Sequence, residues 1–293
     1  MRKPLSSSTA LKRSSIIALT IAGSCFISLP ALAQETCVVL NAAAPSSATG
    51  TNALACGPEA DAAGDSATAT GHNSSAAGLE ATANGFTTDA SGRGATALGG
   101  RSSATNTFAT AVGWANTASG VNSFAGGNRS TASGDSSVAL GDNAIAEGVS
   151  AIATGHNSSA AGLEATANGF TTDASGRGAT ALGGRSSATN TFATAVGWAN
   201  TASGVNSFAG GNRSTASGDS SVALGDNAIA EGVSAIATGH NSSAAGLEAT
   251  ANGFTTDASG RGATALGGRS SATNTFATAV GWANTASGVN SFA

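Results

Sequence analysis

Glycine stands at every fourteenth residue along most of this chain: Gly57, Gly71, Gly85, Gly99, Gly113, Gly127, Gly141 and onward, seventeen times in succession. A register this strict constrains the fold more than any composition does, because a disordered low-complexity segment has no need of phase. Counting 14-residue units from Ala53, this glycine is position 5; positions 3 and 10 are always alanine, position 1 is alanine or serine, and position 12 is glycine except at Asn106, Asn190 and Asn274. Asparagine is the non-glycine residue that best tolerates a left-handed backbone, so positions 5 and 12 both read as turns. Between them, positions 1 to 4 and 8 to 11 alternate with period two and are too short for helices. Strand, turn, strand, turn repeated every 14 residues is one coil of a parallel β-solenoid, each coil hydrogen-bonding to the next about 4.8 Å away. Seventeen such coils predict a rod roughly 80 Å long.

A coil of 14 residues encloses little space, which explains small side chains at positions 1, 3 and 10, such as Ser137, Ala139 and Ala146. The outward positions of the two strands differ. Positions 2 and 4 give a largely apolar row, with Val112, Phe124, Val138, Leu140 and Ile152, whereas positions 9 and 11 read Ser75, Asp89/Ser91, Ser103/Thr105 and Thr117/Ser119. Contiguous apolar surface along a rod marks an interface, and a face repeated coil after coil suits a cyclic homo-oligomer with parallel axes. A longer period of 84 is superimposed: His72, His156 and His240 recur at it, as do Trp114, Trp198 and Trp282, and residues 69–209 return unchanged as 153–293.

The N-terminus reads differently. Arg2, Lys3, Lys12 and Arg13 precede an apolar stretch, 16–29, ending in Pro30 and Ala31-Leu32-Ala33. This is the layout of a secretory signal peptide over residues 1–33, and it places the chain outside the cytoplasm. Residues 34–45 then form a short N-terminal segment before repeats that run over 46–293. Without the four basic residues of the leader, eight arginines face sixteen acidic residues, a net charge of −8. Nucleic acid, which requires a basic track, is not an expected partner. After cleavage Cys37 and Cys56 remain, and an oxidising compartment favours a disulfide between them over two free thiols.

Catalysis finds no support. Acids such as Glu80, Asp89 and Asp135 are scattered singly, and no Ser/His/Asp, HExxH or phosphate-loop spacing occurs. No cofactor and no metal site is expected; His72, beside Asn73, reads as a solvated turn residue. Trp114, Trp198 and Trp282 follow the position-5 turn, where they can stack on a ligand or pack against a neighbouring protomer.

Ser137-Val138-Ala139-Leu140-Gly141, with Asn122-Ser123-Phe124-Ala125 as a second version, resembles the N-S-V-A-[IL]-G repeat of trimeric autotransporter adhesins, the YadA-like head family of bacterial surface and virulence proteins. The resemblance implies a left-handed parallel β-roll, three chains side by side, and binding to host matrix or cell-surface ligands. It makes the motif residues Ser137, Val138, Ala139, Leu140 and Gly141 candidate ligand contacts, alongside the three tryptophans. The neck, heptad stalk and membrane barrel of such adhesins have no counterpart in the repeats. The expectation is therefore an incomplete head, extracellular as a fragment and held at the outer membrane only through an anchor absent from this chain. Two alternatives stay open: a purely structural spacer, and an ice-binding solenoid, since Thr68, Thr82, Thr96 and Thr110 occupy position 2 of four successive coils.

Overall fold

The computed structural model describes residues 35–37 and 45–293; the expected signal peptide and most of segment 34–45 lie outside them. Among the described residues there is no helix, and the strands fall into two parallel sheets of 18 strands each. One sheet collects the first strand of every coil, such as Val138–Asp142, and the other collects the second, such as Ile145–Ala146. Each residue pairs with its equivalent one coil away: Phe124 with Val138 with Ile152, and Thr131 with Ile145 with Ser159. The chain is a parallel β-solenoid of 14-residue coils, as its glycine register requires.

Hydrogen bonds tie every coil in both directions. Strand amides donate forward, as Val138 N does to the Ala151 carbonyl at 2.9 Å. Corner amides donate backward, as Asn143 N does to Asn128 at 2.8 Å and Ser150 N to Asp135 at 2.8 Å. The backward bonds come from residues in the left-handed region at positions 7 and 14, including Asn143 (φ 59), Ser150 (φ 58), Thr87 (φ 53) and Phe108 (φ 54). β-branched and aromatic residues rarely enter that region, so the coil imposes this backbone on whatever side chain occupies the position.

The left-handed turn at position 12 is not found. Gly141, at position 5, has φ +147, but Gly148, at position 12, has no positive φ, and neither does Asn106. At Gly148 the constraint is space: on its backbone a Cβ would lie 1.9 Å from the Gly162 carbonyl oxygen of the next coil. Where Asn106 replaces the glycine, the side chain takes over local hydrogen bonding, with Nδ2 donating to the Ser119 carbonyl at 3.2 Å and Oδ1 accepting from Thr107 N at 2.9 Å.

The core consists of alanine columns. Ala139 and Ala146 are completely buried, and Ser137 beside them is too. A fourth inward position joins the three expected ones. Position 8 reads Ser74, Thr88, Ser102, Asn116 and Ser130, every one with at most 1% exposure. Serine and asparagine pass for surface residues in a pattern, yet here they serve the carbonyls of the tight position-5 corners, whereas the Thr88 hydroxyl is buried without a hydrogen-bond partner. Ser102 Oγ donates to Gly113 at 3.0 Å, Asn116 Nδ2 to Gly127 at 2.8 Å, and Ser130 Oγ to Gly141 at 2.9 Å. Asn116 Nδ2 also reaches the Val112 carbonyl at 2.8 Å, and its Oδ1 accepts from Ser130 N at 2.8 Å, so one side chain stitches two coils together. Unpaired, such buried groups cost stability.

Two substitutions test this interior. Ala139→Leu should overfill the coil and destabilise it by about 1–3 kcal/mol, read as a lower urea midpoint; an unchanged midpoint would place Ala139 outside the core. Asn116→Leu keeps the number and branching of heavy atoms, though methyl groups are bulkier, but strands two carbonyls and an amide, at a cost of at least about 2 kcal/mol. Because solenoid coils open locally, amide exchange around residues 110–130 should accelerate before global melting changes.

Candidate functional site

The outward row of the first sheet is continuous. Val112, Phe124 and Val138 are half-buried by their neighbours along the stack, and Leu140 and Ile152 are 40% and 41% exposed. Among the described residues nothing covers this face. Thr68, Thr82, Thr96 and Thr110 stand in register on the same row and are followed by Phe124, Val138 and Ile152. Of the five motif residues considered as ligand contacts, Ser137 and Ala139 are 0% exposed and point into the coil, which removes them as side-chain contacts. Period-two alternation sends positions 1 and 3 inward and leaves Val138 and Leu140 as the outward members. The second sheet's outward row is mostly polar, interrupted at position 9 by Ile145 and Ile229, the latter 37% exposed, and at position 11 by the exposed Ala63, Ala77, Ala161 and Ala245.

The corner after position 5 carries the richest chemistry. Position-6 side chains lie above one another in successive coils and touch. His72 stacks on Phe86 with centroids 5.4 Å apart, and the later copies His156–Phe170 and His240–Phe254 stack at 5.2 Å. His72 is thus exposed but not simply solvated, and the aromatic that holds it is 14 residues further along the chain. Asn128 Nδ2 donates to Asp142 Oδ1 at 3.0 Å, and Asp142 Oδ2 lies 3.7 Å from His156 Nε2.

Trp114 occupies the same column. Its indole lies over Gly100 of the preceding coil, where an added Cβ would come within 2.4 Å of Cζ3. Arg101 holds its guanidinium carbon 5.7 Å from the ring centroid, within the range of a cation–π contact. The ring remains 47% exposed, as does Trp198, and Trp282 is 65% exposed. The opposite corner repeats the device: Phe108 covers Gly94, whose Cβ would sit 2.7 Å from the ring. A large ring follows a glycine by 14 residues in each case, a signal visible in the sequence once residues are compared coil by coil rather than neighbour by neighbour.

Cys56 is disulfide-bonded, and its in-register backbone partner on the adjacent strand is Cys37. Among the described residues no group of three or more histidine, cysteine or acidic side chains is placed to hold a metal.

A family model described as the YadA head domain repeat (2 copies) matches residues 48–74, 90–116, 118–144, 146–171, 174–200, 202–228, 230–256, 258–284 and 272–293. Comparison with curated proteins gives no match.

If each tryptophan is seated by the glycine beneath it, the triple substitution Gly100→Ala, Gly184→Ala and Gly268→Ala should lift the indoles into water. The expected result is a red-shifted, more quenchable tryptophan emission with an unchanged β-type circular dichroism spectrum. Unaltered emission would show that the rings do not rest on these glycines.

Proposed function

The chain belongs to the YadA head domain repeat family, and on that premise we propose that it forms the head of an exported trimeric adhesin that binds host matrix or cell-surface ligands. Members of this family are adhesin-type β-rolls rather than enzymes. Three protomers stand side by side with their first-sheet rows turned inward, so that Val112, Phe124, Val138, Leu140 and Ile152 line the contact between chains. The observation that carries the reading is the uncovered apolar row, with Leu140 and Ile152 each about two-fifths exposed in the isolated protomer. Water contact along a whole rod face is unfavourable, and identical faces cover one another under rotational symmetry.

Val138 and Leu140 were candidates for both ligand and interface contact, and one face cannot serve both. The trimer takes it, leaving the corners and the polar second sheet to meet the ligand. Trp114, Trp198 and Trp282 are then the principal candidate ligand contacts. Weak binding at many equivalent coils becomes tight through multivalency. Export through residues 1–33 and closure of the N-terminal coil by a Cys37–Cys56 disulfide complete the proposal; the in-register backbones of the two cysteines support it.

A second reading has one observation in its favour: the threonines at 68, 82, 96 and 110 stand in an outward register, as an ice-organising surface requires. It needs that face free. The solution mass by light scattering separates the two. The expected result is three times the protomer mass with a β-rich spectrum, falling to the protomer mass when Leu140→Asp and Leu224→Asp place charges on the row. A folded monomer from the outset, with thermal-hysteresis activity, would replace the adhesin by the ice-binding solenoid.

A further inference from the structure

Five of the eight arginines beyond the leader lie on the corner that carries the tryptophans: Arg101, Arg129, Arg185, Arg213 and Arg269. Their arrangement around Trp114 is specific. Along position 7 the order is Arg101, Ala115, Arg129, all in left-handed backbone (φ 56, 54 and 55) that turns their side chains out at the corner. Two long cations thus flank one methyl group across two coils, about 10 Å. Trp114 forms the wall of this notch. Arg101 stands 5.7 Å from its ring, and Arg129 N donates to the Trp114 carbonyl at 2.8 Å.

Among the described residues no anion neutralises either guanidinium, and the Trp114 ring beside Arg101 leaves its charge uncompensated. Among the described residues, no carboxylate lies within ion-pair distance of Arg101 or Arg129, and neither side chain makes a hydrogen bond. The nearest acid along the column, Asp142, is held by Asn128 at 3.0 Å and lies 3.7 Å from His156. Ala115 is unusual as well, since a left-handed position favours glycine or asparagine; its small side chain keeps the space between the cations open. Beyond the leader sixteen acids face eight bases, and two arginines without a carboxylate partner beside a half-exposed indole are an anion site with an apolar wall.

We infer that the Arg101–Trp114–Arg129 notch, with its copy Arg185–Trp198–Arg213 and the related Arg269–Trp282 pair, binds sulfated linear polysaccharide. Sulfate or carboxylate groups engage the guanidiniums, and a sugar ring lies against the indole. Asp142 closes the positive stretch on one side, which limits each notch to a short length of glycan. Repetition every 84 residues spaces the notches by six coils, about 29 Å, so an extended glycan chain engages several at once. The inference rests on the adhesin reading only in naming what the exposed corner meets.

Heparin immobilised on a sensor is the probe, with the purified full chain in solution. Binding should be measurable at low salt and should weaken steeply as salt is raised. Replacing Arg101, Arg129, Arg185, Arg213 and Arg269 with Gln should weaken it by about tenfold or more, and Ala115→Glu with Ala199→Glu should do the same by placing a carboxylate in each notch. Trp114→Phe, Trp198→Phe and Trp282→Phe should keep the coil and reduce heparin affinity. Wild-type affinity in the arginine variant, absence of binding at low salt, or equal binding of duplex DNA of matched charge would each overturn the inference. Light scattering on the same sample separates this from the fold of the head: a trimer that ignores heparin sinks the notch and spares the adhesin, whereas a monomer that binds through these arginines does the reverse.

Discussion

At the glycine corners adjacent coils approach so closely that a single added carbon has nowhere to go. At Gly148 a Cβ would meet the Gly162 carbonyl oxygen at 1.9 Å, and at Gly141 it would meet that of Gly155 at 2.3 Å. Close corners flatten the coil, and a flat coil leaves an interior only one methyl group deep on each side. Alanine columns follow, and with them a core that contributes little per residue compared with leucine. Cohesion is supplied by the backbone ladders, by the position-8 serines and asparagines that serve the corner carbonyls, and by rings laid over the glycines of the preceding coil.

Much of this was legible in the sequence because the coil repeats its demands seventeen times. Positions 1, 3 and 10 gave the interior, and positions 2 and 4 the apolar face. Two features were hidden for physical reasons. Glycine at position 5 answers to backbone conformation as well as to space, while glycine at position 12 answers to space alone, and a sequence shows the same letter for both. Asn116 and Ser130 look like surface residues until the corner carbonyls they satisfy are located. The left-handed positions 7 and 14 left only a diluted signal: asparagine recurs there, as at Asn73, Asn122, Asn143 and Asn157, and glycine at Gly94, but the coil also forces threonine, phenylalanine and arginine into a backbone they seldom choose.

The candidate site was legible in part. Trp114 stood out by its size and by its place after a turn. Its partners did not, because Gly100 and Arg101 precede it by about one full coil and become neighbours only through the stacking. The motif that named the family is the least available part of the surface: Ser137 and Ala139 face the interior, and the valine and leucine between and after them compose the row assigned to the trimer. In such a rod the recurring letters describe scaffold, and the letters that vary from coil to coil are the ones left to the exposed corners.

The in-register pairing of every coil with the next has a genetic consequence. Val138 meets Ile152 as Val222 meets Ile236, so the seam between one 84-residue block and its copy is indistinguishable from any other step in the stack. Recombination that adds or removes a whole block therefore creates no new junction for selection to repair. The reach of the rod becomes a matter of copy number, adjustable in steps of about 29 Å by gain or loss of whole blocks, with the fold indifferent to the outcome.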